Sequence, residues 1–484
     1  MARGIKSITV NELEGKVDKR EVGYYETPRL VADYMTERLL KICTGNKVLD
    51  PCCGSEELIK RFLEKGFSVD GFDIIKYKEN YTCNFKQKDF IKYYCDKDSE
   101  EDYDIYIANP PYNCHEVDFI KQNKAKLLRD FCDVGVHNMY SMFISAIIDM
   151  AKNGAVIGII CCDSFLSSKH HRKLREKILK TCAIHEITLC SRELFLNQGA
   201  DVKTSIMILQ KGKQYQNKIV LNNRRYNVDE FKMLLDERPE RVHNLEDIIL
   251  SDKRDNLEFL IQCPSKIKNL FYGERVGEKF KCITGISTGD DKRYLSDIKT
   301  NEFSIPFYKN PGKDRFYTNK FLYLINNYLE ISKENKKFNV RNKDLICKSG
   351  ITCSSMGVEF TASKLPGNST FGVNPNIICT EEDSWWLMAY LNSTLVTYLV
   401  RGVLIRGNMI TSGYVSRIPL LKFTENDKWN LQRCAKEAYQ RRLSNLNIDD
   451  LICEIDKIIY KNINLDKDEI KYLFEFRSNI VKNS

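Results

Sequence analysis

Lys47-Val48-Leu49-Asp50-Pro51-Cys52-Cys53-Gly54-Ser55 is the stretch on which the fold turns. Val48 and Leu49 make a short strand, Asp50 ends it, and Pro51 and Gly54 turn the chain into a helix expected over 57–64, with Leu58, Phe62 and Leu63 on one face. Working outward, Phe67-Ser68-Val69-Asp70-Gly71-Phe72-Asp73 is a second strand closed by an acid, and Tyr103-Asp104-Ile105-Tyr106-Ile107-Ala108 is another. A helix over 139–151, a buried strand over 155–161 and a late strand over 203–209 continue the alternation. Strands alternating with helices over 25–210 predict a doubly wound α/β sheet, which takes ligands at the carboxyl ends of its strands.

Several chemically useful residues stand at those ends. Gly54 lets the backbone approach a ligand closely. Asp73 follows the loop at about 20 residues, the spacing from which an acid accepts hydrogen bonds from ribose hydroxyls; its plainer reading is a solvated strand-end carboxylate. The loop has no Gly-x-Gly-x-x-Gly pattern, and Glu56 and Glu57 would repel a pyrophosphate at a helix N-terminus. S-adenosylmethionine carries no phosphate and tolerates them. Asp89-Phe90 offers an acceptor for an adenine amine and a ring to pack on it, or equally a helix N-cap and a core residue.

The sharpest chemical signal is Asn109-Pro110-Pro111-Tyr112, directly after an apolar strand. An exocyclic base amine is a poor nucleophile because its lone pair is delocalised into the ring. Two acceptors set against its hydrogens return electron density to the nitrogen. The Asn109 side-chain oxygen and the Pro110 carbonyl can be those acceptors, and consecutive prolines at 110 and 111 hold them in a fixed turn. Tyr112 offers a face on which a flipped base can stack. Read without context, the same four residues are a rigid turn with a packing tyrosine.

The order Glu26-Thr27-Pro28, Asp50-Pro51-Cys52-Cys53-Gly54, Asp73, Asp89-Phe90, Asn109-Pro110-Pro111-Tyr112 resembles the amino-methyltransferases of the gamma arrangement, such as the TaqI-type DNA adenine methyltransferases. The resemblance covers roughly 22–210 at the level of motifs. It implies a Rossmann-like S-adenosylmethionine-dependent methyltransferase domain, followed by a mixed α+β target-recognition domain. It implies that Thr27 contacts the methionine end of S-adenosylmethionine, that Asp50, Cys52 and Gly54 line its pocket, and that Asp73 with the adjoining Ile74 holds the ribose. Asp89 and Phe90 would hold the adenine ring, and Asn109, Pro110, Pro111 and Tyr112 the target base. His137-Asn138-Met139-Tyr140 looks like the element after the family's catalytic loop. Glu193-Leu194-Phe195 looks like the element whose aromatic packs against the flipped base, although Phe195 also reads as a core residue. The chain departs from the family at Glu56, where members often carry a second glycine.

The rest of the chain bounds this reading. With 484 residues, more than one domain is expected. The expected divisions are an arm over 1–20, a catalytic domain over 21–212, a polar connector over 213–255 and a recognition domain over 256–484. In the last, Tyr294, Phe307, Tyr308, Phe316 and Tyr317 alternate with Arg293, Lys309, Lys313, Arg315 and Lys320, and helices over 424–480 carry stripes at Leu431, Ala435, Ala438, Ile452, Ile455 and Ile459. Ile283-Thr284-Gly285-Ile286-Ser287-Thr288-Gly289 and Leu391-Asn392-Ser393 resemble segments of such recognition domains. The formal charge of +9 favours an anionic partner only weakly. The 18 cysteines show no Cys-x-x-Cys spacing and read as reduced, so neither disulfides nor a metal are expected. No apolar run approaches the roughly 20 residues that span a bilayer, so no membrane and a cytoplasmic setting (a host cell's, for a viral chain) are expected.

The expected function is methylation of N6 of a flipped adenine in double-stranded DNA by a monomer, with a basic cleft between the two domains and room for a separate restriction endonuclease. Alternatives use the same acceptors: a glutamine side-chain amide of a protein, N4 of cytosine, or an adenine in RNA. The first group is usually shorter, and the second more often has Ser at the position of Asn109. A catalytically dead specificity protein would have no need of both Asp73 and 109–112. Pro51-Cys52 formally matches a cytosine-C5 nucleophile but sits in the cofactor loop. No paired Asp and Glu-x-Lys nuclease pattern stands out.

Overall fold

Nine strands, running β1 (Lys47–Asp50), β2 (Ser68–Asp73), β3 (Asn84–Gln87), β4 (Ile105–Ala108), β5 (Val156–Cys162), β6 (Cys182–Leu189), β7 (Thr204–Lys211), β8 (Ile219–Asn222) and β9 (Val242–His243), form one sheet in the order β3-β2-β1-β4-β5-β7-β6-β8-β9. They come from a computed structural model that describes residues 25–96, 102–112, 116–237 and 242–482. The arm expected over 1–20 lies outside the described residues. The helices of this region are α1 (Arg29–Leu40), α2 (Lys60–Glu64), α3 (Phe90–Cys95), α4 (Glu116–Gln122), α5 (Lys124–Asp130), α6 (Met139–Met150), α7 (Arg172–Thr181) and α8 (Val228–Glu237). The chain divides into two compact units between Ile248 and Ile249.

Strands β3, β2, β1, β4 and β5 are parallel, and β7 joins β5 antiparallel over seven residue pairs from Val156–Gln210 to Cys162–Thr204. Buried β4 and β5 are near-continuous apolar runs because both faces of a parallel sheet are covered. The α/β class expected from the sequence is the one observed.

Three local expectations are corrected. The helix after the glycine loop begins at Lys60 instead of residue 57; Glu56 has a left-handed backbone (φ 75°), and turns fill the residues between. Strand β6 was not foreseen. Its run Cys182-Ala183-Ile184-His185-Glu186-Ile187 places a carboxylate on a fully buried strand, tolerated because Tyr34 and Thr188 donate to Glu186 at 2.6 Å each and Arg38 at 2.5 Å. The expected connector 213–255 belongs largely to the first unit. Ile219–Asn222 pairs parallel with β6, Val242–His243 pairs with β8, and α8 buries Phe231, Leu234 and Leu235. Two such short strands are easily hidden by the polar composition around them.

The second unit is mixed α and β. One four-stranded sheet is formed by Lys281–Ile283, Asn376–Ile378, Gly350–Cys353 and Ala362–Leu365, and another by Leu295–Ser296, Phe321–Ile325, Phe303–Tyr308 and Thr370–Phe371. Tyr294, Phe307, Tyr308 and Phe316 from the aromatic–basic run are core residues, and Arg315 is paired with Glu359 at 2.9 Å. Leu431, Ala435, Ala438, Ile452, Ile455 and Ile459 bury the helices Glu425–Leu443 and Asp449–Asn462 in this unit's core. Asn392 is a clamp: its amide bonds both the N–H (3.0 Å) and the carbonyl (2.8 Å) of Ala362. No single described helix is long and apolar enough to cross a membrane. The apolar pair Glu381–Leu391 and Thr394–Leu404, bent by 68°, contributes its buried faces to the same core.

Candidate active site

Four adjacent parallel strands deliver the predicted residues to one edge. Register sets Asp50 beside Gly71, Asp73 beside Gln87, and Ala108, which precedes Asn109, beside Ile159. Asp50 and Asp73 end β1 and β2, while Asp89 and Asn109 follow β3 and β4. β1 lies between β2 and β4, so chain order reverses there, the place where open α/β sheets form a ligand crevice.

On the β1–β2 side, carboxylates hold the loop together. Asp73 accepts from the Gly54 N–H (3.0 Å) and the Ile75 N–H (3.1 Å). Gly54 has φ 52°, the left-handed region that glycine enters at little cost. Glu56, which replaces the family's second glycine, keeps a left-handed backbone at φ 75°. One of its oxygens accepts from the Thr82 and Cys83 N–H groups (2.9 and 2.7 Å), and the other pairs with Lys78. Burial opposes its charge, but Lys78 and the Cys83 N–H outweigh it and hold the carboxyl below its ordinary range.

Asp50 is only 1% exposed; one oxygen accepts from the Cys52 N–H (3.0 Å), and the other is buried with no hydrogen-bond partner. Burial pushes its carboxyl well up, the Cys52 N–H opposes, and the charges of Asp73 and Glu57 add to the rise. Burial likewise raises Asp73 to about 6, against the backbone N–H groups it accepts from. Burial and then Asp73 push the Tyr77 phenol up. A buried cluster of acids with an orphaned carboxylate oxygen is the donor set for a cationic ligand. S-adenosylmethionine, with its sulfonium and ammonium groups, has that chemistry. Burial, followed by Asp50 and Asp73, also pushes the Cys52 thiol well up, the opposite of what a nucleophilic thiolate needs.

On the β4 side, the amide of Asn109 is fixed. Its Nδ2 donates to the Tyr25 carbonyl (3.1 Å) and the Thr27 hydroxyl (3.0 Å), so Oδ1 is left as the acceptor. The Tyr112 hydroxyl donates to that Oδ1 and lies 3.4 Å from the Ile160 carbonyl. The Tyr112 ring is 2% exposed, stacked with Tyr25 (6.3 Å between centroids, 15° between planes) and edge-on to Phe195 (6.2 Å). Phe195 is fully buried and also meets Tyr25 (6.3 Å). Thus Asn109, Thr27, Tyr112 and Phe195 are brought together, with Pro110 buried beside them. The open stacking face expected of Tyr112 is not there in this conformation, because the ring is packed and its hydroxyl covers the acceptor.

Three other positions differ from expectation. Phe90, 1% exposed, packs in the core against Phe143 (5.1 Å), and Asp89 caps α3 by accepting from the Lys92 N–H (3.0 Å). The plainer reading of that pair is the one observed. Ile74 is 61% exposed and lines no enclosed wall. Asn138 caps α6, and buried Tyr140 bonds Ser164 and His171 at 2.9 Å each, so these two residues act as a polar brace, while His137 is exposed. Sequence reasoning missed Tyr25, Tyr77 and Gln198. The first two were visible as aromatics flanking Thr27 and Asp73. Gln198, which bonds the Glu26 backbone across 172 positions, left no local signal. No group of three or more His, Cys, Asp or Glu among the described residues is arranged to hold a metal ion.

Residues 74–265 match the family model described as N-6 DNA Methylase. The match covers about two fifths of the chain. It contains Asn109–Tyr112 and Phe195 and begins just past Asp73. Among curated relatives, the type II methyltransferase M.HincII of Haemophilus influenzae is 25% identical over 219 residues, 42% of this chain and 40% of that protein. The type II methyltransferase M.VspI of Vibrio sp. (strain 343) is 22% identical over 176 residues, 33% of this chain and 42% of that protein. The matched region thus spans about two fifths of these relatives' length. Among solved structures, the chain of the DrdV–DNA complex superposes with a TM-score of 0.54 at 11% identity, over 87% of this chain and 57% of that one. A nuclease-deletion mutant of the Type ISP restriction-modification enzyme LlaGI, in complex with a DNA substrate mimic, gives 0.52 at 14% identity, over 86% and 54%. At these identities the likeness is one of fold.

Proposed function

We propose that the chain transfers a methyl group from S-adenosylmethionine to N6 of an adenine in double-stranded DNA. The observation that carries this is Asn109. Its amide is oriented by Tyr25 and Thr27 so that Oδ1 is an acceptor, at the same sheet edge as a buried acid cluster with an unmet carboxylate oxygen. Asn109 Oδ1 and the Pro110 carbonyl accept hydrogen bonds from the two hydrogens of the exocyclic amine and return its lone pair to the nitrogen. Because the amide is already fixed, it does not have to rotate at the moment of reaction. Tyr112 must first leave Asn109 Oδ1, and its ring, freed from Tyr25, then becomes the stacking face for an everted base. Phe195 forms the wall behind it. Asp50 would hold the positive end of the cofactor and Asp73 its ribose. S-adenosylmethionine supplies an electrophilic methyl group on a cationic sulfonium.

The names of the relatives support the substrate class: M.HincII and M.VspI are type II methyltransferases, and the DrdV and LlaGI structures contain DNA or its mimic. We assign recognition of the DNA sequence to the second unit, and the relatives' restriction-modification setting makes a cognate endonuclease the expected companion. The test is transfer from labelled S-adenosylmethionine to unmethylated genomic DNA, followed by nucleoside digestion and mass spectrometry. N6-methyladenine is expected. N4-methylcytosine would overturn the choice of base, and label confined to protein or RNA would overturn the substrate.

A further inference from the structure

Gln198 lies in the same turn, Arg192–Gln198, that carries Phe195. Its side-chain amide makes both hydrogen bonds a peptide unit offers: Oε1 accepts from the Glu26 N–H (2.8 Å), and Nε2 donates to the Glu26 carbonyl (2.7 Å). The residues on either side of Glu26 are the two that hold Asn109, Tyr25 through its carbonyl and Thr27 through its hydroxyl. Residue 26 thus addresses one neighbour, and residues 25 and 27 the other. Gly199 closes the turn with a left-handed backbone (φ 84°), and the Ala200 N–H bonds back to the Phe195 carbonyl (3.1 Å), so Gln198 projects from a braced turn.

We propose that Gln198 is a positioning residue for Asn109, acting through the strap 25–27. The inference rests on the methyltransferase reading above. The Asn109 amide has two orientations related by a flip, and only one presents oxygen to a base amine. The strap selects that one by offering two acceptors to Nδ2, and it can do so only while its backbone stays in place. Gln198 supplies the clamp that keeps it there, and it joins the aromatic wall at Phe195 to the acceptor at Asn109 in one unit. Nothing in the reaction requires Gln198 to touch the base or the cofactor.

The clamp needs a donor as well as an acceptor, which gives a test that simple loss of stability cannot imitate. In Gln198→Glu the ionised carboxylate still accepts from the Glu26 N–H but repels the Glu26 carbonyl, and protonation restores the donor. The ionisable groups in this turn and strap are Glu26, Glu193 and the Arg192–Asp201 ion pair (2.6 Å), all retained in the variant. The wild-type chain, Gln198→Ala and Gln198→Glu are compared in single-turnover formation of N6-methyladenine at saturating S-adenosylmethionine and DNA, from pH 5 to pH 8. Gln198→Ala is expected to be about tenfold slower at every pH. The ratio of Gln198→Glu to wild type is expected to rise about threefold or more as pH falls from 8 to 5. DNA affinity and thermal melting should stay near wild type in both, since the side chain is only partly buried. A wild-type rate in both variants overturns the clamp, and so does a depressed Gln198→Glu ratio that is flat with pH. A wild-type chain that forms no N6-methyladenine overturns the methyltransferase reading instead, so the two failures are separable.

Discussion

The two sides of the sheet's carboxyl edge treat buried polar groups in opposite ways. At β1 and β2, Asp50 keeps one oxygen buried without a partner, and Asp73 is pushed to about 6. At β4, Asn109 uses both ends of its amide: Nδ2 on Tyr25 and Thr27, Oδ1 under the Tyr112 hydroxyl. An unmet carboxylate costs the folded protein free energy that an arriving cation can return. A fully bonded amide is already in its working orientation, but it must give up one bond before it can act. The first side is built to gain from binding, and the second to lose little during reaction. Binding and turnover should therefore separate when each side is changed alone.

The largest separation is expected for Asn109→Ala. It should bind S-adenosylmethionine like wild type yet lose about 10²–10³ in turnover, the scale on which one preorganised hydrogen-bonding group matters. Calorimetry and single-turnover transfer check both halves, and full turnover would remove Asn109 from the catalytic loop. Asp50→Asn should do the reverse, weakening S-adenosylmethionine about 10–100-fold with no loss of melting temperature, because it removes the carboxyl that would ionise against the ligand's charge and whose second oxygen the ligand-free fold leaves unmet. A drop in melting temperature with unchanged affinity would make Asp50 a purely structural acid.

Asp73 sharpens the same point through pH. Its carboxyl holds a proton more tightly in the folded protein than in the unfolded chain, where its value is near 3.9. The folded state is thus favoured at low pH and loses stability as pH rises from about 4 to about 6, by about 3 kcal/mol at most. In ligand-free protein, Asp73→Asn should remove that part of the slope in denaturation midpoints measured across this window; an unchanged slope would contradict the assignment. At Glu56, the left-handed backbone and the carboxylate bonds to Thr82, Cys83 and Lys78 pull in opposite directions. Glu56→Ala keeps the strain and loses the bonds, whereas Glu56→Gly loses both. Glu56→Gly should therefore be more stable than Glu56→Ala by about 1 kcal/mol in urea unfolding. The smallest effect is expected for Cys52→Ala, with turnover within about threefold of wild type, since a thiol pushed up by burial is no nucleophile.

Much of this edge was legible in the sequence for physical reasons. β1, β2 and β4 are apolar runs stopped by an acid or by Asn109 with two prolines, so local pattern and chemistry coincide there. What escaped depends on partners far along the chain. β6 carries Glu186 in the core only because Tyr34 and Arg38 reach it across 152 and 148 positions. β8 and β9, the last two strands at one side of the sheet, have four and two residues inside a polar stretch. The missing glycine at 56 was visible, but not that the chain keeps glycine's backbone there and ties it down with the carboxylate. Asn109 and Tyr112 could be named from their neighbours, whereas the hydroxyl covering Oδ1 is set by the packing of Tyr25 and Phe195 around the ring.

The central claim is that the carboxyl edge holds a cationic methyl donor against Asp50 and Asp73. Calorimetry of S-adenosylmethionine binding at pH 6, in two buffers of different ionisation enthalpy, tests it most directly. The account predicts that protons are released on binding, as the arriving positive charge drives the raised carboxyls to ionise, and that Asp73→Asn releases fewer. Binding with no proton release in the wild-type chain, or with the same release in Asp73→Asn, would contradict it.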